Sequence, residues 1–128
     1  MHRILIIAPN WIGDAVMSQP LLAAIKTSYP HTAIDVLATP WVAPVYRACS
    51  EVAELIEADL RHGQLQWGMR RALAAQIKKR NYARCYVLPN SLKSALIPWL
   101  ANIPERVGYQ GELRRFFLTE TKANSSKT

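Results

Sequence analysis

Ile4-Leu5-Ile6-Ile7-Ala8-Pro9-Asn10-Trp11-Ile12-Gly13-Asp14-Ala15-Val16-Met17-Ser18-Gln19 is the stretch whose reading decides the fold. Arg3 to Ala8 has the length and β-branched content of a buried strand. Leu21-Leu22-Ala23-Ala24-Ile25-Lys26, just beyond, reads as helix. A strand that runs into a helix is the repeating unit of α/β folds, and the turn between them lies at the strand's carboxyl end, where such folds bind ligands. This turn carries one indole, one glycine and one carboxylate.

Proline constrains where the helix begins. An N-cap at Asp14 would put Pro20 in the helix interior, where it removes a backbone hydrogen bond. A cap at Ser18 puts Pro20 in the first turn, where proline is tolerated. A short helical turn from Gly13 that kinks near Ser18 satisfies both, with Met17, Leu21 and Ile25 as the inward stripe and Tyr29-Pro30 as the end.

The rest of the chain repeats the alternation. Ala33 to Ala38 is a second strand, Thr39-Pro40-Trp41 a turn, Val42 to Ala48 a short helix and Val52 to Glu57 a third strand. A polar loop from Asp59 to Gly63 holds Arg61 and His62. Leu65, Met69, Leu73 and Ile77 then mark the inner side of a helix, with Arg70, Arg71, Lys78, Lys79 and Arg80 on its other faces. Tyr82 to Leu88 is a fourth strand, Pro89-Asn90-Ser91 its turn, Leu92 to Ala101 a helix, and Arg106 to Tyr109 a fifth strand. The pattern is lost from Thr119, so 1–118 is expected to fold and 119–128 to be a loose tail. Alternating strands and helices with short connections predict an α/β fold: a Rossmann-like parallel sheet with helices on both faces.

Composition narrows the function. The chain has 128 residues, 50% of them hydrophobic, enough for one domain with a core. A charged fraction of 20% and four Trp exclude a disordered chain. Sixteen Lys+Arg against nine Asp+Glu give a formal charge of +7, which favours an anionic partner or serves solubility alone. Cys49 and Cys85 match no metal spacing, and His2, His31 and His62 are scattered, so neither a metal site nor a disulfide framework is read. No apolar run reaches the roughly 18 residues of a membrane span. Pro9, Asn10, Gly13 and Asp14 interrupt the early apolar run before it could act as a signal peptide, which predicts a cytoplasmic protein.

A parallel sheet gathers its strand ends on one edge. There the order above brings Asn10 and Asp14, then Thr39 and Trp41, then Arg61 and His62. Asn90, Ser91 and Lys93 follow, then Gln110, Glu112, Arg114 and Arg115. Hydroxyls, amides and cations around one carboxylate suit a polyhydroxylated, anionic ligand. A dinucleotide fingerprint needs three glycines where only Gly13 stands, and no phosphate-cradling loop is present. Asp35 comes early in its strand, away from a ribose. Asp14 reads equally as an N-cap carboxylate or as a general base, and Gly13 would let a bulky substrate approach the backbone. Trp11 suits core packing or a hinge as well as sugar stacking. Asn90 to Ser94 suits a helix cap as well as a phosphate site with Lys93. The cations of Arg70, Arg71 and Lys78 to Arg80 lack interleaved aromatics, so a nucleic-acid stripe is not read.

Pro9-Asn10-Trp11-Ile12-Gly13-Asp14 with Met17-Ser18-Gln19 resembles the N-terminal motif of the bacterial lipopolysaccharide heptosyltransferases of glycosyltransferase family 9, in particular the ADP-heptose:LPS heptosyltransferase II branch. Val87 to Leu96, Ile103 to Tyr109 and Gly111 to Arg114 resemble later segments of the same family in the same order. The resemblance runs from Arg3 to Leu118. It implies the N-terminal half of a glycosyltransferase-B fold, an inverting transfer of heptose from ADP-heptose to the lipopolysaccharide inner core, and neither metal nor other cofactor. By the same resemblance Asp14 is the catalytic base. Asn10, Gly13, Asn90, Ser91, Lys93, Arg114 and Arg115 are substrate-binding candidates. The partners implied are the inner-core acceptor and the ADP-heptose donor, with no nucleic acid and with peripheral contact at the cytoplasmic face of the inner membrane. The donor-binding C-terminal domain is expected to be absent from this chain, leaving it inactive alone. The alternative is a non-catalytic binding or assembly module derived from the same half-fold.

Overall fold

A computed structural model of the chain describes residues 3–60, 66–89, 92–109 and 120–122. β1 (Arg3–Ile7) leads into two short helices, α1 (Ile12–Met17) and α2 (Gln19–Ser28). β2 (Ala33–Ala38), α3 (Ala43–Arg47), β3 (Val52–Glu57), α4 (Trp67–Lys78), β4 (Arg84–Val87), α5 (Leu92–Leu100), β5 (Glu105–Tyr109) and β6 (Glu120–Lys122) follow. The break at Ser18 is the expected kink, and it puts Pro20 at the start of α2, where its missing N–H is harmless.

Every strand pairing is parallel, and the order across the sheet is β3-β2-β1-β4-β5-β6. β1 is buried on both faces, which explains its unbroken apolar run. Ile4 and Ile6 point to the face covered by α1, α2 and α3, packing with Leu22, Ile25, Val42 and Tyr46. Leu5 and Ile7 point to the face covered by α4 and α5, with Leu73, Ile77, Cys85 and Ile97. The doubly wound α/β fold read from the sequence is therefore the observed one.

Four details differ from the sequence reading. Glu120–Lys122 joins the sheet beside β5, so the tail is not loose there. Three polar residues have no hydrophobic period, and their place comes from the backbone ladder that β5 offers. Met17, expected inside, is 80% exposed, while Leu22 and Ile25 carry the inward stripe of α2. The break at Ser18 separates the rotation of α1 from that of α2, so one helical register does not run through both. On α4, Arg70 is buried and Met69 is exposed, the reverse of the expectation. Arg70 stands three, four and seven positions before Leu73, Ala74 and Ile77, which puts it on their face; a strict four-residue repeat drifts off that face. The aliphatic stem of arginine lets it lie there.

Candidate functional site

The strand order reverses between β1 and β4, because the chain builds outward from β1 through β2 and β3 and then returns to the other side. At such a switch point the connections leave in opposite directions, and a crevice opens at the carboxyl ends of the two strands. Ile7 and Val87 are register partners at this end, and Leu88 N–H donates to the Ile7 carbonyl at 3.1 Å. The turn after β1 and the turn after β4 therefore leave side by side.

Asn10, Gly13 and Asp14 come together on the β1 side. Trp11, with extended backbone, is the residue before α1, and Asp14 stands in the helix's first turn. The N-cap reading of Asp14 is thus replaced: its negative charge still suits the positive end of the helix, but it does not cap. The carboxylate is exposed, and it makes no hydrogen bond or ion pair among the described residues. Gly13 has an ordinary helical backbone, and a Cβ placed on it meets nothing within 4 Å. Among the described residues no contact requires glycine there, and none occupies the space above it.

The neighbouring β2 end closes on the same turn. Trp41 donates its indole N–H to the Asn10 carbonyl at 2.7 Å. Behind α1, the fully buried Tyr46 of α3 lies 2.7 Å from the Ser18 hydroxyl, which itself donates to the Ala15 carbonyl at 2.7 Å. Ser18 has one hydroxyl proton, already committed, so Tyr46 is the donor of the pair. Burial raises the Tyr46 phenol above its ordinary range, opposed by the Ser18 contact. Sequence reading missed Tyr46 altogether, since a lone tyrosine in a five-residue helix gives no pattern.

The remaining candidates are not assembled by the described residues. Lys93 is the second residue of α5, directly after the β4 turn. Asn90, Ser91, Arg114 and Arg115, like Arg61 and His62, lie outside the described residues.

Asp35 belongs to the opposite edge, as its early position in β2 implied, and it has a structural role there. Its fully buried Oδ2 accepts from Arg3 Nε at 3.0 Å and from the Tyr82 hydroxyl at 2.6 Å, with Arg80 Nη1 at 3.7 Å. Arg80 also binds Glu54, the register partner of Asp35 on β3, at 2.6 Å. The Asp35 contact raises the Arg3 guanidinium, while burial and then Asp35 raise the Tyr82 phenol. At the amino ends of the strands, this network locks the sheet rather than facing a ligand.

The model of glycosyltransferase family 9 (heptosyltransferase) matches residues 70–127. Lipopolysaccharide heptosyltransferase 2 of Salmonella typhimurium is 46% identical over 120 residues, covering 94% of this chain and 34% of the relative. Its Escherichia coli counterpart is 44% identical over the same length. By sequence and by fold, this chain is similar to the family 9 glycosyltransferases. The solved structure of E. coli ADP-heptose LPS heptosyltransferase II superposes with a TM-score of 0.86 at 40% identity, over 96% of this chain and 35% of that one. A family 9 protein from Veillonella parvula gives the same TM-score at 21% identity, a likeness of fold alone. The chain spans about a third of the length of these family 9 relatives. No helix among the described residues is long and apolar enough to cross a membrane.

Proposed function

We propose that the chain forms the acceptor side of an inverting heptosyltransferase that moves heptose from ADP-heptose to the lipopolysaccharide inner core. One observation carries the reading: an exposed carboxylate without a partner among the described residues, Asp14, stands at the switch-point edge beside Gly13. Asp14 takes the proton of an acceptor heptose hydroxyl. The freed oxygen attacks the anomeric carbon from the face opposite ADP, the bond to ADP breaks, and the configuration inverts. General-base help of this kind contributes about 10²–10⁴-fold, and the hydroxyl must come within about 3 Å of the carboxylate.

Asn10 and Gly13 then contact the acceptor directly, and Asn90, Ser91, Lys93, Arg114 and Arg115 supply hydrogen bonds and positive charge for its anionic groups. The chain forms the N-terminal half of a glycosyltransferase-B fold, and the donor is held by the part of the longer relatives that this chain does not span. The 128-residue chain accordingly binds acceptor without turning over ADP-heptose. The net charge of +7 suits a peripheral position at the anionic cytoplasmic face of the inner membrane.

The test is a chimera in which this chain replaces the matched third of the E. coli heptosyltransferase. Asp14→Asn should cut transfer at least a hundredfold while acceptor binding by the isolated chain, followed by calorimetry, stays within a few-fold. Transfer that survives the substitution removes Asp14 as the base. Acceptor binding that fails in the unmodified chain removes the acceptor-side reading.

A further inference from the structure

α1 is poorly equipped to hold its own orientation. It has six residues, a glycine at its second position and one buried side chain, Ala15. Helices this short do not persist on their own propensity, because nucleation is costly and few bonds follow it. Burial of one methyl group contributes only on the order of 1 kcal/mol. Yet α1 carries Asp14, whose carboxylate has no partner among the described residues to aim it.

Three side-chain hydrogen bonds, all between the β2–α3 segment and the β1–α1–α2 segment, bracket Asp14. Ahead of it, Trp41 Nε1 grips the Asn10 carbonyl at 2.7 Å. Behind it, Tyr46 donates to Ser18, whose hydroxyl holds the last turn of α1 through the Ala15 carbonyl. Next to Ser18, Gln19 Nε2 reaches Cys49 Sγ at 3.3 Å, and that thiol donates to the Val45 carbonyl at 3.3 Å. The α3 side is firm: Val42, Ala43 and Tyr46 are fully buried against β1 and β2.

We infer that Tyr46 and Trp41 are positioning residues, which clamp α1 at its two ends and so aim Asp14 at the acceptor. The inference rests on the proposed role of Asp14 and adds what holds it in place. The two ties divide the work. Trp41 fixes where the chain enters α1, and Tyr46 fixes the break at Ser18 where α1 hands over to α2. Neither residue touches the reacting atoms.

Tyr46→Phe keeps the buried ring and removes only the hydroxyl, while Trp41→Phe removes the indole N–H. Backbone ¹⁵N relaxation of the 128-residue chain reports the effect without substrate. In either variant, order parameters for Ile12–Met17 should fall from about 0.85, the rigid-backbone value, to below about 0.6, while β1 and β2 stay near 0.85. In the chimeric transferase, Tyr46→Phe should lower kcat about tenfold with the acceptor KM unchanged, as expected of a misplaced base. Unchanged order in α1 in both variants overturns the inference. So does a loss of order spread equally over α1, β1 and β2, which would make these residues plain packing groups. Failure of Asp14 as a base would appear only in the transfer assay, leaving the relaxation result intact.

Discussion

Replacing Asp35 by alanine tests the account of the amino-terminal edge of the sheet. The carboxylate is fully buried and Oδ2 accepts two short hydrogen bonds, from Arg3 Nε at 3.0 Å and from the Tyr82 hydroxyl at 2.6 Å. Removing one member of a buried ion pair costs about 3–5 kcal/mol. The two partners share that cost unequally. The Arg3 side chain is 35% exposed and lies 3.5 Å from Glu54, so it turns to Glu54 and to water. Tyr82 is only 3% exposed, and its hydroxyl is left without an acceptor, which alone costs about 1–3 kcal/mol. Asp35 Oδ1 already lacks a donor among the described residues, so the substitution also relieves one desolvated atom. The low end of the range follows, about 3 kcal/mol. For a domain of this size that lowers the thermal midpoint by about 12 °C.

Differential scanning calorimetry and urea titration at neutral pH measure the effect. Tyr82→Phe in the Asp35→Ala background supplies the internal control, because it removes the stranded hydroxyl and should recover about 1 kcal/mol or more. A loss below about 1 kcal/mol for Asp35→Ala, or no recovery in the double variant, would refute the reasoning: Asp35 would then be an unfavourable buried charge that the fold merely tolerates.

Alkaline pH should destabilise the chain through its buried acids. Burial raises the Cys85 thiol and the Tyr82 and Tyr46 phenols above their ordinary values. Each therefore keeps its proton longer in the folded state, so its stabilising contribution is complete below the unfolded-state value and is lost as pH rises above it. Stability should begin to fall near pH 9, where unfolded thiols ionise, and steepen past about pH 10 as phenols join, by about 1.4 kcal/mol per pH unit for each group. Urea melts across this range should show a shallower onset in Cys85→Ala; an unchanged onset would contradict the assignment. Gly13→Ala should have opposite effects on stability and binding. Its Cβ meets nothing and the backbone is helical, so the fold should gain about 0.5–1 kcal/mol. Acceptor binding should weaken several-fold as the methyl group fills the open space, and calorimetry showing equal or tighter binding would remove Gly13 from the acceptor surface.

Much of the fold was legible because its signals are local. β2 and β3 run over the residues read as strands from the sequence, and the break at Ser18 followed from where proline can and cannot stand. The site was legible in part. Asn10, Gly13 and Asp14 are close in sequence and share one turn, so reading that turn was enough to bring them together. Tyr46 and Trp41 were not legible as its supports, because they act from 28 and 31 positions away through single hydrogen bonds.

The sequence by itself determined β1 to β5 and the helices between them, and that they alternate into a parallel sheet, since backbone propensity and hydrophobic period act within a few residues. Tertiary structure alone decided the pairing of Glu120–Lys122 with β5 and the partners of Asp35. Each of these depends on groups distant in the chain, such as Tyr82, 47 positions from Asp35. Hydrogen bonds and ladders of that kind leave no periodic trace in a sequence; they exist only once the sheet has brought their ends together.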